Sequence, residues 1–222
     1  GDTSRLTFLA TPVTGGLNIE NLMVFDLQEK ESLHLIKQSN GNPSDVSLSG
    51  RASAFPIVAG LLAENNPDSL PKRQLGIDPV DGRYYYFTAI PVVSENRVVG
   101  VMVVGTSLNT LLPLLGSTSS ANIIFYDSNG MAIASTLGSQ GMDALFLQTI
   151  SISKEAYQQV INQDESVDGK DFIVDGREYS LVRGPLKVVD DRLAVFAVVL
   201  PRDFVVESSS TNRNNYVFLY SL

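Results

Sequence analysis

The sequence predicts an α+β protein made of two tandem modules, each a central antiparallel sheet of about five strands with flanking helices. Three observations carry this expectation. A short apolar block framed by Asn and Asp occurs twice, a longer block follows it twice in the same order, and turn residues separate the apolar runs at hairpin spacing.

The first block, Asn21-Leu-Met-Val-Phe-Asp26, matches Asn122-Ile-Ile-Phe-Tyr-Asp127, and each reads as a buried strand entering a turn. After Asp127 the pair Asn129-Gly130 favours a tight hairpin turn, with a return strand over Met131 to Ser135; the counterpart after Asp26 is Ser32 to Ile36. A helical segment follows in each copy: Ala52 to Glu64, where Pro56 fits only near a helix start, and Lys154 to Asn162. Lys170 to Val174 reads as a further strand before the Asp175-Gly176 turn.

The second block then runs from Gly82-Arg83-Tyr84-Tyr85 through Pro91 to Val104, and again from Gly176-Arg177-Glu178-Tyr179 through Pro185 to Val198, without a gap. Each copy is a glycine-initiated strand, a proline, a polar turn and another strand. The turns are Ser94-Glu95-Asn96-Arg97 and Asp190-Asp191-Arg192, so each block is an antiparallel hairpin. Apolar Leu108 to Leu115 predicts a connecting helix, Gly116-Ser-Thr-Ser-Ser120 a linker, and the boundary falls near 112 to 120. The expected modules are 1–115 and 116–208. Residues 209–222 end in the apolar and aromatic run Asn215 to Leu222, which reads either as the start of a transmembrane helix or as a terminal segment packed on the body.

Composition narrows the function. The chain has 222 residues, 44% hydrophobic and 18% charged, which belongs to folded globular proteins. With 16 basic against 24 acidic residues the net charge is −8, and the cations are scattered. That argues against nucleic acid and against flat binding to an anionic bilayer, leaving tethering as the membrane link. The absence of cysteine excludes disulfides, thiolate catalysis and cysteine zinc sites. Asn42-Pro43-Ser44 is blocked as a glycosylation sequon by its proline, and together these features favour a prokaryotic source. No internal stretch reaches the ~20 apolar residues of a membrane span.

The hairpin Gly82-Arg-Tyr-Tyr-Tyr-Phe-Thr-Ala-Ile-Pro91 with Val98-Val-Gly-Val-Met-Val-Val104 resembles the end of a membrane-distal Cache module. Ile123-Ile-Phe-Tyr-Asp-Ser-Asn-Gly130 resembles the opening of a membrane-proximal one. Over roughly residues 17 to 207 the chain is thus similar to the double Cache, PAS-like sensor domains of bacterial transmembrane receptors. The resemblance implies a non-catalytic extracytoplasmic domain of an inner-membrane protein. Such a domain binds a small polar or anionic molecule in its distal module and signals to a histidine kinase, cyclase or chemoreceptor output. The alternatives are a secreted or periplasmic binding or adhesion module without signalling and, third, a Ser-Lys hydrolase. Homodimerisation is left open, and no cofactor is expected.

Two departures from the family stand out. Only Asp2 to Val13 precedes the first strand where relatives have a long helix, so that helix is expected to be cut, disordered or short. Amino-acid-sensing members carry an Asp at the end of the strand that here reads Gly100-Val-Met-Val-Val-Gly105, and Gly105 offers an ammonium group nothing; an Arg-x-Trp element is also excluded, since the chain has no Trp. An α-amino acid ligand is disfavoured.

No residue is expected to be catalytic or to bind metal. The single histidine, His34, alternates with Leu33 and Leu35 and reads as a surface strand residue. Ser151-Ile-Ser-Lys154 satisfies S-x-x-K, but its companions are missing and Ser151 or Ser153 serves better as an N-cap. Asp164, Glu165, Asp168, Asp171 and Asp175 lack the spacing of a calcium loop.

For the ligand, the comparison of copies is used directly. Arg83 and Tyr85 recur as Arg177 and Tyr179, whereas Tyr84 and Tyr86 become Glu178 and Ser180. What both modules share serves the fold, so the Tyr84 and Tyr86 row is expected to face the ligand. Arg51 and Arg73 flank the helical segment and are the candidates for holding a carboxylate.

Overall fold

The structure is a computed structural model, and it describes residues 3–48, 51–118, 121–137, 143–163, 166–169, 171–174, 176–188 and 191–202. The chain divides into two compact units, Gly1–Leu108 and Asn109–Leu222. The apolar run at 215–222, Asp164, Glu165 and Asp175 lie outside the described residues.

The first unit comprises α1 (Thr3–Gly16), β1 (Asn21–Phe25), β2 (Glu31–Lys37), β3 (Pro43–Asp45), α2 (Pro56–Glu64), β4 (Lys72–Ile77), β5 (Tyr84–Ser94) and β6 (Arg97–Ser107). Its six strands form one antiparallel sheet in the order β3-β2-β1-β6-β5-β4. α1 precedes β1 over Thr3–Gly16, and β3 adds an edge strand that the sequence pattern does not announce. Pro56 sits at the start of α2, where its missing N–H breaks no helical bond.

Both faces of this sheet are covered, and strand alternation sorts the side chains between them. On the outer face Leu22, Leu33 and Leu35 pack against Leu6 and Ala10 of α1, with Met102 and Val104 beside them. On the inner face Met23, Phe25, Tyr85, Phe87, Ala89, Val101 and Val103 pack under Ile57, Val58 and Leu61 of α2, with Phe55 wedged against Phe25 and Phe87. Burying side chains of this size contributes about 1.5–3 kcal/mol each, which makes the inner cluster the main apolar support of the unit.

The second unit repeats the plan with α3 (Leu108–Thr118), β7 (Asn122–Tyr126), β8 (Ala132–Ser135), α4 (Ala144–Thr149), α5 (Lys154–Gln163), β9 (Val167–Asp168), β10 (Phe172–Val174), β11 (Arg177–Val188) and β12 (Asp191–Pro201). Its sheet runs β10-β11-β12-β7-β8, with β9 also on β11. Ile124, Tyr126, Val195, Ala197, Val199 and Leu181 form the inner face under Ile150, Tyr157 and Val160. Ser153 caps α5 through the Ala156 N–H, while Ser151 accepts from the Ala132 N–H and donates to the Leu147 carbonyl, so neither hydroxyl engages Lys154.

The two copies share their turn chemistry atom for atom. Asp26 Oδ1 accepts the N–H groups of Gln28 and Lys30, and Asp127 Oδ1 accepts those of Asn129 and Met131. Each turn needs one residue in the left-handed region, supplied by Glu29 at φ 58° in the first copy and Gly130 at φ 84° in the second. The β5–β6 hairpin turns through Glu95 at φ 50° and Asn96 at φ 60°, the two-residue geometry whose twist matches the strands.

Glu29→Gly is expected to raise the unfolding free energy of the first unit by about 0.5–1 kcal/mol, because the β-carbon strain is relieved. Gly130→Ala is expected to cost the second unit more than about 2 kcal/mol, since the new methyl meets the Ile152 carbonyl as well as a left-handed backbone. Urea unfolding of the three proteins checks both signs.

Candidate ligand-binding site

Beside the apolar cluster, one end of the first unit's inner face carries charge. Strand register places Asn21, Gly105 and Phe87 in one row across β1, β6 and β5, and pairs Met23 with His34 of β2. A bulge between Val24 and Phe25 brings Glu31 opposite Phe25, on the same face. Glu31, His34, Asn21 and Asp78 are each at most 2% exposed.

His34 is therefore not a surface residue. Its alternation with Leu33 and Leu35 is real, but the sheet is covered on both sides, so the polar side of the strand is buried as well. The buried histidine sits between two carboxylates and a guanidinium. Nε2 lies 3.0 Å from Asp78 Oδ2, off the axis of a well-directed hydrogen bond, so the contact is chiefly electrostatic. Nδ1 lies 2.9 Å from Arg51 Nη2 and 3.7 Å from Glu31 Oε2. A guanidinium has only donors, so Nδ1 accepts and the ring proton belongs on Nε2, toward Asp78. Arg51 closes the chain with Nε 2.9 Å from Glu31 Oε2 and a second, Nη2 contact to the same oxygen.

Asp78 is drawn over the sheet by the loop joining β4 to β5. Its Oδ2 accepts from Asn21 Nδ2 at 2.7 Å, and its Oδ1 accepts the N–H groups of Val80 at 2.7 Å and Asp81 at 3.2 Å. Burial alone pushes this carboxyl's pKa up, but His34, Asn21 and the Val80 N–H outweigh it and hold it down at about 2. Next to it, Asp81 Oδ2 accepts from the Tyr85 hydroxyl at 2.7 Å and from Arg83 Nε at 2.7 Å, and burial followed by the Asp81 contact drives the Tyr85 pKa well above its ordinary value. One acceptor in this network is left over: Asn21 Oδ1 is buried and has no hydrogen-bond partner.

The four residues expected at a ligand divide between the faces. Arg51 belongs to the buried polar chain. Tyr84, Tyr86 and Arg73 lie on the outer face, where register pairs Arg73 with Thr88, Leu75 with Tyr86 and Ile77 with Tyr84, and Arg73 donates to the Pro71 carbonyl at 3.3 Å. Asn21, His34, Glu31 and Asp78 are the members of the inner network that the sequence reading passed over. Asn21 had the clearest signal, as a polar residue leading a strand that is otherwise buried. At Gly105 a β-carbon would come 2.7 Å from Phe87 Cε1 and 3.1 Å from Asn21 Cβ, so the position has room for no side chain. Among the described residues no group of three metal-ligating side chains occurs, and no helix is long and apolar enough to cross a membrane.

Two sheets of this construction in tandem define a bipartite sensory domain. The family model described as the double sensory domain of two-component sensor kinases matches residues 14–205, and the chain belongs to that double Cache family, a family of sensory rather than catalytic domains. No curated protein matches the sequence. Among solved structures, the chain is similar to the sensor domain of the histidine kinase DctB from Vibrio cholerae, at 16% identity and a TM-score of 0.57, covering 90% of this chain and 78% of that one. It is also similar to a methyl-accepting chemotaxis protein, at 16% identity and a TM-score of 0.58, covering 91% and 82%. The ligand-binding domain of the Campylobacter jejuni chemoreceptor Tlp3, solved with L-valine, matches at 14% identity and a TM-score of 0.52, covering 92% and 75%.

The low folded-state pKa of Asp78 sets an acid limit on the first unit. Because about 2 in the fold lies below the ordinary 3.8, the carboxylate stabilises fully above about pH 4 and its contribution is lost as pH falls toward 2. The difference corresponds to about 2 kcal/mol. In urea unfolding between pH 2 and 6, the parent protein is expected to show this acid-dependent loss and Asp78→Asn to show it flattened. An unchanged slope in the variant removes Asp78 as its source.

Proposed function

We propose that this chain is the extracytoplasmic sensing part of a bacterial membrane receptor, and that its ligand is a small polar molecule held on the inner face of the first unit. The observation carrying this reading is the buried, unpaired Asn21 Oδ1 beside the closed chain Asp78, His34, Arg51 and Glu31. A buried acceptor without a donor is costly, and a ligand N–H or O–H answers it. Burial of the ligand between sheet, α2 and the Asp78 loop then favours one arrangement of these elements, which is how differential binding becomes a conformational signal. Membership of the sensor-kinase family supports the signalling half of the proposal and its placement outside the cytoplasm.

The charge balance favours a polar ligand over an anionic one. Arg51 is already neutralised by Glu31 and Arg83 by Asp81, while Asp78 keeps its own charge. An α-amino acid is disfavoured, since Gly105 supplies no carboxylate for its ammonium group and has no space for one. The outer row of Tyr84, Tyr86 and Arg73 is the competing location.

A thermal-shift screen of small neutral polar compounds tests the proposal, because a binder at 100 times its dissociation constant adds about 2.7 kcal/mol. For a compound that raises the melting temperature, Asn21→Ser is expected to weaken binding about tenfold or more, while Tyr84→Phe and Tyr86→Phe leave it unchanged. The opposite pattern moves the site to the outer face.

A further inference from the structure

On the inner face of the second sheet, a guanidinium and a phenol lie close together, each with a buried polar atom left unsatisfied. Register pairs Tyr126 of β7 with Val195 of β12, and Arg183 of β11 with Ala197. A single strand separates the two side chains, and it presents only Val195 and Ala197 between them. Tyr126 is fully buried, its hydroxyl has no hydrogen-bond partner, and Arg183 Nε is likewise buried without one. Burial raises the phenol's pKa, and the nearby guanidinium, by its charge and by side-chain hydrogen bonding, draws it part of the way back, yet neither Tyr126 Oη nor Arg183 Nε reaches a well-directed hydrogen bond. Among the described residues no carboxylate pairs with Arg183.

The first unit shows that the fold does not require this pair. By register and by the sequence repeat, the positions equivalent to Tyr126 and Arg183 are Phe25 and Ala89, with Val101 and Val103 between them, and both lie in the apolar core. The second unit has thus exchanged an apolar phenyl for a phenol and an alanine for an arginine at two neighbouring points of a conserved frame. Unpaired polar groups are rare inside proteins. A single acceptor within reach of both atoms satisfies them together.

We propose that the second unit carries its own anion site, in which Arg183 and Tyr126 bind the carboxylate of a short aliphatic monocarboxylic acid. The guanidinium offers the planar donor fork that matches a carboxylate, and the phenol O–H adds a third donor. One unpaired cation matches a single negative charge. The surroundings, Leu181, Val195 and Val167, are apolar and suit a short hydrocarbon tail. The site is separate from the polar network of the first unit, so the receptor domain has two chemically different binding faces.

Propionate, added to the whole chain against sodium chloride at equal ionic strength, tests the assignment by calorimetric titration and melting. The expected result is saturable binding that raises the melting temperature. Tyr126→Phe is expected to melt no lower than the parent without propionate, because an unpaired buried hydroxyl is removed, yet to bind propionate about tenfold more weakly. Arg183→Gln is expected to abolish binding. The proposal is overturned if propionate acts no differently from chloride, if both variants bind as the parent does, or if binding survives Arg183→Gln and is lost in Arg51→Gln, which assigns it to the first unit. A Tyr126→Phe variant that melts lower but binds unchanged marks the hydroxyl as structural and overturns it equally.

Discussion

A carboxylate taken out of water must be answered by donors, and in the first unit that requirement falls on Asp78. Two backbone N–H groups from its own loop, the Asn21 amide and the His34 ring all converge on its two oxygens. The donors come from three separate stretches of chain. Satisfying one side chain therefore fixes where the β4–β5 loop crosses the sheet, which way Asn21 points, and which nitrogen of His34 carries the proton. That tautomer leaves Nδ1 to accept from Arg51, whose remaining donors reach Glu31. Loop, sheet and the segment before α2 are tied together through charges that none of them can hold alone.

The duplication separates what a fold needs from what a site needs. Backbone features recur between copies: the Asp26 and Asp127 turns, the long hairpins, the glycines with positive φ before β5 and β11. The inner faces do not recur. The first unit places its polar groups at the end of the sheet, on Asn21, His34 and Asp78, and keeps Phe25 and Ala89 apolar. The second keeps Ile124 and Ala197 apolar and places Tyr126 and Arg183 mid-sheet. Strand pairing tolerates either arrangement because ladder hydrogen bonds use no side chains.

This division also explains how far the sequence could be read. The hairpins and the α+β plan were legible because they rest on local signals, period-two alternation and turn residues with specific backbone demands. β3 and α4 escaped because they are short and carry no periodicity of their own. His34 was misplaced for a different reason: alternation reports that two faces differ, and it does not report that both are covered. The same ambiguity governed Tyr84 and Tyr86 against Tyr85. Arg183 and Tyr126 were within reach of the method that singled out Tyr84, since the repeat sets them against Ala89 and Phe25. Asp78 was not, because a loop that folds back across a sheet leaves no period to detect.

Gly105 has a further consequence for how receptors of this architecture diverge. Its missing side chain is filled from both sides, by the Phe87 ring and by Asn21. A lineage that acquired an acidic residue there would first have to shrink Phe87, and so pass through an ancestor with a hollow under α2. Neither change is useful without the other. In this chain, placing a carboxylate at Gly105 is therefore a double change, with Phe87 made smaller in the same step.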